Sequence, residues 1–365
     1  MTRAPLSTRR VAVVTSRLRP GFNELWDAAR HGVGSLSVIG ARAEGDTDTD
    51  DPSRVALPHR DLGRGLIWQH LSGLRRFLRS TRPDLVHVNR ELWAVVAQEV
   101  VGLDTTVVVH GAENLWHHGG GLEQALRRRL VDRAVRRIGG YASWNHAGAD
   151  HVVRRRAELG LAAVATLVLP AVVPPRRFRE TGWQPGPAEP LEILLVGRAV
   201  PEKGYADVLE AAAGLDGVRV SLCGDGPALE DLRDLAARLG VPLDTLGHLQ
   251  PHRLAELMAR CHVLVQPSRT TPDWAEQFGR TVAEAMTVGL PCLVSDSGEL
   301  PHLVGGDPEA VFPEGDAAAI RGHLRRLTDE RARDTLSARQ GALATAWRPE
   351  RAGEALLAFW EQALP

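Results

Sequence analysis

Two series of short apolar runs, each alternating with stretches of helical periodicity, narrow how this chain can fold more than any other feature. The first series is VAVVTS (11–16), SLSVIG (35–40), DLVHVN (84–89), TTVVVHG (105–111) and ATLVLP (165–170). Helical patterns lie between most of them, near 22–31, 66–80, 91–101, 122–137 and 145–158. Short apolar strands with intervening helices predict a parallel, doubly wound sheet. The stretch PAVVPPRRFRETGWQPGPAEP (170–190) interrupts the rhythm, and its Pro and Gly density marks a linker. A second series follows: LEILLVG (191–197), VRVSLCG (218–224), a run near 241–246, HVLVQPS (262–268), LPCLVSD (290–296) and AVF (310–312). Its helices are expected at 203–213, 227–239, 251–260, 278–288, 315–328, 330–344 and 348–363. With 365 residues, each series has enough chain for its own core. The expected α/β plan is therefore two Rossmann-like domains: 1–170, a linker at 171–190, 191–345, and a last helix at 346–365. Ligands of such sheets bind at the carboxyl ends of the strands, so a central cleft between the domains is the expected site.

Charge and cysteine usage exclude several classes. Formal net charge is −1, which gives no global attraction to nucleic acid or an anionic membrane. No apolar run approaches the roughly 18 residues that span a bilayer. VAVVT is too short for the apolar segment of a secretory leader. Cys223, Cys261 and Cys292 are far apart and read as reduced, buried thiols of a cytoplasmic protein. The acidic stretch GDTDTDDP (45–52) has no His or Cys nearby and reads as a solvated loop, not a metal site. The adjacent His117 and His118 lack further ligands, and no metal site is assigned.

Of the 44 Lys and Arg residues only one is lysine, Lys203, and it lies in the most suggestive turn of the second series. In GRAVPEKG (197–204), Gly197 ends a strand, Arg198 follows, and Lys203 comes five residues later near a helix start. Two cations and a helix N-terminus can converge there on a diphosphate. In LCGDGPALEDL (222–232), Gly224 and Gly226 flank Asp225, which lets a backbone approach a ligand or a helix be capped. In PSRTTPDWAEQFGRTVAEAM (267–286), Glu276 precedes a helix whose first turn is expected to be Phe278, Gly279, Arg280 and Thr281. Their N–H groups can hold a phosphate or a sugar hydroxyl, Glu276 can accept from sugar hydroxyls, and Glu284 can accept from a ribose diol. Glu284 can equally be a buried glutamate in a local pair. Leu249, in LGHLQ (246–250), is assigned to the nucleobase.

These motifs, in this order and spacing, resemble the retaining glycosyltransferases of family 4. The resemblance implies the GT-B fold, with the last helix packing back on the N-terminal domain. It implies transfer of a sugar from a nucleotide diphosphate sugar with retention at the anomeric carbon. Arg198 and Lys203 would stabilise the leaving diphosphate, whose oxygen takes the acceptor proton in a front-face route. No cofactor or metal is required in that scheme. VVVHGAEN (107–114) resembles the family's His-Gly segment, which places His110 near the transferred sugar as the one candidate base. The first loop, SRLRPGFNE, has only Gly21 where the family often has two glycines.

The acceptor side is read from strand ends of the N-terminal domain: Arg17, Asn89, Trp116 and Trp144 can stack on or hydrogen-bond an acceptor. The helix at 122–140 carries six arginines without Trp or Phe anchors, so it is read as solvated, with membrane contact not favoured. A soluble small-molecule acceptor of specialised metabolism is the favoured reading. Polysaccharide or glycolipid assembly is the alternative, and a nucleotide-sugar epimerase a more distant one. An NAD-dependent dehydrogenase is disfavoured because no GxGxxG follows the first strand.

Overall fold

The computed structural model describes residues 4–18, 24–42, 51–62, 68–115, 121–169, 171–173, 178 and 182–365. They fall into two compact units: Met1–Val172 together with Pro349–Pro365, and Val173–Arg348. The expected positions Gly21, Trp116, His117, His118 and most of the acidic stretch at 45–50 lie outside the described residues.

The first unit is built on β1 (Arg10–Leu18), β2 (Ser35–Arg42), β3 (Arg54–Leu57), β6 (Leu85–Val88), β7 (Thr106–Gly111), β8 (Gly140–Ser143) and β9 (Ala165–Val168). These form one parallel sheet in the order β3-β2-β1-β6-β7-β8-β9. The apolar run of β1 alternates faces, as a strand must. Val11 and Val13 pack with Trp26 and Ala29 of α1 (Glu24–Arg30) and with Leu356, Phe359 and Trp360 of the terminal helix (Pro349–Ala363). Ala12 and Val14 face the opposite layer, with Leu74 and Leu78 of α2 (Leu74–Thr81) and Val96, Ala97 and Val100 of α3 (Val95–Val100). The terminal helix thus returns to complete the first unit's core, as the resemblance implied. It comes close to α1 because Gly353 has no side chain: a Cβ there would sit 2.9 Å from Ala28 Cβ.

One segment departs from expectation. The helix expected at 66–80 is only Leu74–Thr81. Before it, β5 (Gln69–Leu71) pairs antiparallel with β4 (His59–Asp61). Gly73 is the reason: its φ of +86° is left-handed, so it cannot continue a helix and instead turns the chain into one. Strand β3 was also missed, because it follows the acidic stretch and offers little apolar signal. At the described end of that stretch, Asp51 accepts from Arg30 Nη2 at 3.1 Å and from Ser53 Oγ at 2.6 Å.

The second unit carries β10 (Leu191–Val196), β11 (Val218–Cys223), β12 (Leu243–Gly247), β13 (Val263–Gln266), β14 (Cys292–Ser295) and β15 (Val311–Phe312). Their order is β12-β11-β10-β13-β14-β15, all parallel. Winding reverses between β10 and β13, and the exits of those two strands diverge at the edge where such sheets bind ligands. All three cysteines are free and buried, and burial pushes the Cys261 thiol up to about 12.

Candidate functional site

The switch point of the second unit gathers the motif residues. The turn after β10 and the turn after β11 are stitched together by backbone bonds: Gly197 N–H to Cys223 O (3.0 Å), Ala199 N–H to Asp225 O (2.9 Å) and Ala228 N–H to Ala199 O (2.9 Å). A Cβ on Gly224 would lie 1.8 Å from Gly197 O, at a φ of +147°. The GDGP glycine at 224 is therefore demanded by another backbone strand, a cause prior to any ligand. Asp225 does not cap the next helix, which starts only at Leu229; its Oδ1 accepts from Gly226 N–H at 2.7 Å. Leu249, expected at the base, gives its N–H to the Cys223 sulfur.

Lys203 ends a one-turn 3₁₀ helix (Pro201–Lys203), locked against the β13 exit because Gly204, at φ +65°, lets that turn approach the Pro267 carbonyl. Its ammonium bonds Glu276 Oε2 at 2.5 Å and lies 5.1 Å over the Trp274 ring. Ser268 Oγ donates to the same carboxylate oxygen at 3.0 Å, and Gln266 Nε2 donates to Ser268 Oγ at 2.9 Å. Both members of the pair are largely enclosed, with side chains 19% and 12% exposed. So the chain's one lysine and the loop glutamate, 73 residues apart, share one site. An ammonium has three donors, and Glu276 takes one. Arg198 is exposed, and its guanidinium has no ion-pair partner among the described residues.

The helix after this loop begins at Arg280, with Gly279 before it at φ +82°, so Phe278 and Gly279 precede the first turn rather than form it. Phe278 is buried edge-on to Trp347 at 6.3 Å. Thr281 Oγ1 lies 3.4 Å from Gln266 Oε1. Glu284 accepts from Arg280 Nε at 3.2 Å, the local pair that the sequence left open for it. Sequence reasoning missed Ser268, Trp274 and Tyr205. Tyr205 follows the Lys-Gly pair directly; its buried hydroxyl has no hydrogen-bond partner among the described residues and sits against Gly197, where a Cβ would be 2.8 Å away. It also missed the pair formed by buried Asp207 and Arg269, whose Nε donates at 2.8 Å. Only a spacing in three dimensions signals these.

In the first unit, His110 is buried on β7, and its Nε2 lies 2.9 Å from the Leu169 carbonyl. Burial drives its pKa down to about 4, so the ring is neutral at ordinary pH. Asn89 is half-buried, its N–H bonded to Val14 O at 2.8 Å. Trp144 is half-buried, its N–H bonded to Gly111 O at 2.9 Å. Arg17 lies on β1. Glu91, another strand-end residue of this unit, accepts from Ala112 N–H at 2.7 Å, and its other oxygen is enclosed without a partner among the described residues. Burial, with Glu113 adding repulsion, raises its pKa to about 7. Of the six arginines in the basic helix, Arg127 pairs with Glu113 and covers Trp93, and Arg133 bonds Gln98. Leu122 and Leu126 are exposed. Among the described residues no helix is long and apolar enough to cross a membrane.

Residues 180–342 match the family model described as glycosyl transferases group 1. That match lies within the second unit. The chain resembles sulfoquinovosyl transferase of Arabidopsis thaliana at 33% identity over 149 residues, 40% of this chain and 28% of that protein. It resembles glycogen synthase of Mycobacterium tuberculosis at 27% identity over 298 residues, 76% of this chain and 66% of that one. The match therefore spans less than two thirds of either relative. A GDP-mannose-dependent alpha-(1-6)-phosphatidylinositol dimannoside mannosyltransferase of Mycobacterium tuberculosis is 28% identical over 349 residues, 88% of this chain and 86% of that one. Among solved structures, Anabaena HepE in complex with UDP and glucose superposes with a TM-score of 0.70 at 18% identity, covering 97% of this chain and 99% of that one. The lipopolysaccharide outer core galactosyltransferase WaaB superposes equally well, with a TM-score of 0.70 at 17% identity, covering 96% and 99%. The fold is GT-B.

Proposed function

We propose that this protein transfers a hexosyl group from a nucleotide diphosphate sugar, with retention, to an acceptor held by its first unit. The observation that carries the reading is the Lys203–Glu276 pair at the switch point of the second unit, with the exposed Arg198 guanidinium, without an ion-pair partner among the described residues, on the same strand exit. As the glycosidic bond breaks, negative charge grows on the leaving diphosphate. Arg198 and the two remaining Lys203 donors meet that charge, and preorganised cations of this kind are among the larger catalytic contributions known. Glu276 orients Lys203 and accepts from the sugar hydroxyls. Glu284 takes the ribose, and the Arg280–Thr281 N–H groups take a phosphate. In this scheme the two side-chain cations do what a metal would do, so turnover should survive a chelator. His110, neutral and bonded to Leu169, is a poor general base, which favours the front-face route in which the leaving phosphate oxygen takes the acceptor proton.

For the acceptor, the relatives weigh against the small-molecule expectation. The mannosyltransferase that matches along most of both chains is named for a glycolipid, and a Bacillus subtilis relative is named for teichuronic acid biosynthesis. We take a glycolipid or envelope glycan as the acceptor to test first, against soluble small molecules. The test is nucleotide release from a panel of UDP-, GDP-, ADP- and dTDP-sugars with each acceptor class, with the product anomer assigned by NMR. Release with one donor and an acceptor, and a retained anomer, support the proposal. No binding or turnover with any nucleotide sugar overturns it.

A further inference from the structure

The loop that carries Glu276 leaves β13 at Pro267 and reaches the next helix at Arg280. Both of its ends are pinned. At the start, Arg269 N–H bonds Glu202 O at 2.8 Å, and Arg269 Nε bonds buried Asp207, on the helix that follows Lys203 (Tyr205–Ala212), at 2.8 Å. At the far end, Glu299 N–H bonds Glu276 O at 3.1 Å. That contact needs Gly298, where a Cβ would lie 2.1 Å from the same oxygen at a φ of +55°. Between these ends the chain folds on itself as a tight hairpin, with Thr271 N–H on Trp274 O at 2.7 Å and Trp274 N–H on Thr271 O at 3.3 Å. The hairpin presents the Trp274 ring to the Lys203 ammonium, which lies 5.1 Å from the ring centre.

The base of that hairpin is tied to the turn after β15. Glu314 takes both polar groups of Thr270, the N–H on Oε2 at 2.6 Å and the hydroxyl on Oε1 at 2.5 Å. Because the Thr270 hydroxyl proton goes to Glu314, Ser297 Oγ, 2.9 Å away, must donate to Thr270 Oγ1. Glu314 is itself placed by its own N–H on Asp296 Oδ1 at 2.8 Å. Next to it Gly315, at φ +74°, leaves room for the Arg269 guanidinium, since a Cβ there would be 3.3 Å from Nη2. A carboxylate that accepts at both oxygens fixes direction as well as distance.

We propose that Glu314 is a positioning residue of the donor site: by gripping Thr270 it sets the 271–274 hairpin and so holds the Trp274 ring over Lys203. It acts only through Thr270 and touches no reacting group. With Trp274 on one side and Glu276 on another, the Lys203 ammonium is held in one orientation, and its remaining protons are aimed. The catalytic consequence rests on the glycosyl-transfer reading: an aimed ammonium meets the leaving diphosphate without reorganising.

The single lysine makes the test direct. The full protein labelled with ¹³C-lysine gives one lysine ε-CH₂ signal, read by NMR without substrate. In the wild type the indole ring should shift that signal upfield, and Trp274→Leu should return it to the position of free lysine. Glu314→Ala should move it to the Trp274→Leu position. Glu314→Gln should keep it near the wild-type position: the amide oxygen accepts from Thr270 N–H, and the amide NH₂ donates to Thr270 Oγ1, whose proton turns to Ser297. A wild-type signal that Trp274→Leu does not move, or a signal unchanged in Glu314→Ala, overturns the proposal. Should Glu314→Ala not fold, Thr270→Val, which removes only the hydroxyl, is read in the same way, and an unmoved signal again overturns it. In the transferase assay Glu314→Ala should lower kcat by about 10-fold at little-changed donor KM, with Glu314→Gln restoring it. An unchanged kcat despite a moved signal overturns the positioning role. A wild-type protein that turns over no nucleotide sugar fails the transferase reading, and the lysine signal still judges what Glu314 does.

Discussion

Glu91→Gln is predicted to change how the stability of the first unit depends on pH. Glu91 follows β6, with Oε1 on the Ala112 N–H and Oε2 enclosed beside Gly111 and the Tyr141 hydroxyl. The side chain keeps some exposure, yet the Oε2 atom itself is shut off from solvent. Burial raises its pKa from 4.5 to about 7. Between those values the folded protein holds a proton that the unfolded chain has lost, so stability falls as pH rises through the interval. At about 1.4 kcal/mol per pH unit, the loss above pH 7 reaches about 3 kcal/mol, an upper figure because the side chain retains some solvent. Glutamine keeps the acceptor for Ala112, cannot ionise, and can place its N–H₂ on the Tyr141 oxygen. The variant should therefore match the wild type near pH 5 and exceed it by up to about 3 kcal/mol at pH 8. His110 titrates in the opposite sense: its lowered pKa removes stability as pH falls from about 6.5 toward 4. That contribution is common to both proteins and cancels in the difference. The assay is urea unfolding of both proteins at pH 5, 6.5 and 8. Parallel stability profiles across that range would show that Glu91 titrates as an ordinary carboxylate, and the reasoning would fail.

Three further outcomes follow from the second unit. Lys203→Met should lower turnover by about 100-fold or more while the circular dichroism stays native, and adding Glu276→Gln should recover the roughly 1–3 kcal/mol lost by stranding a buried carboxylate. Near-normal turnover in a folded Lys203→Met protein would remove the phosphate role. Glu284→Ala should weaken nucleotide binding by about 10-fold or more, as loss of one charged hydrogen bond does, read by calorimetry with UDP and GDP. Gly224→Ala should cost about 3 kcal/mol or more, because its Cβ would meet Gly197 O at 1.8 Å; an unchanged melting temperature would show that the two turns separate easily.

The βαβ rhythm was legible because buried parallel strands must be apolar and their crossovers helical, whatever else the chain does. Most strands and helices fall where the runs predict them. The failures have local causes. The 59–71 hairpin hides in a region of mixed polarity, and its turn into α2 depends on one left-handed glycine. The candidate donor residues were legible as an ordered set, Arg198, Lys203, Glu276, Phe278, Gly279 and Glu284, but not as contacts.

By itself, then, the sequence determined two doubly wound units and the candidate donor residues, since periodicity and motif order are properties of the chain alone. Tertiary structure decided what those residues touch. It joined Lys203 to Glu276, gave Gly224 a backbone neighbour rather than a ligand as its first reason, and tied Glu284 to Arg280. It set Trp360 against His87, 273 residues apart, and put His110 Nε2 on the Leu169 carbonyl. Such pairings depend on sheet order and register, and on how far burial shifts a proton. Those quantities exist only once distant segments are packed together.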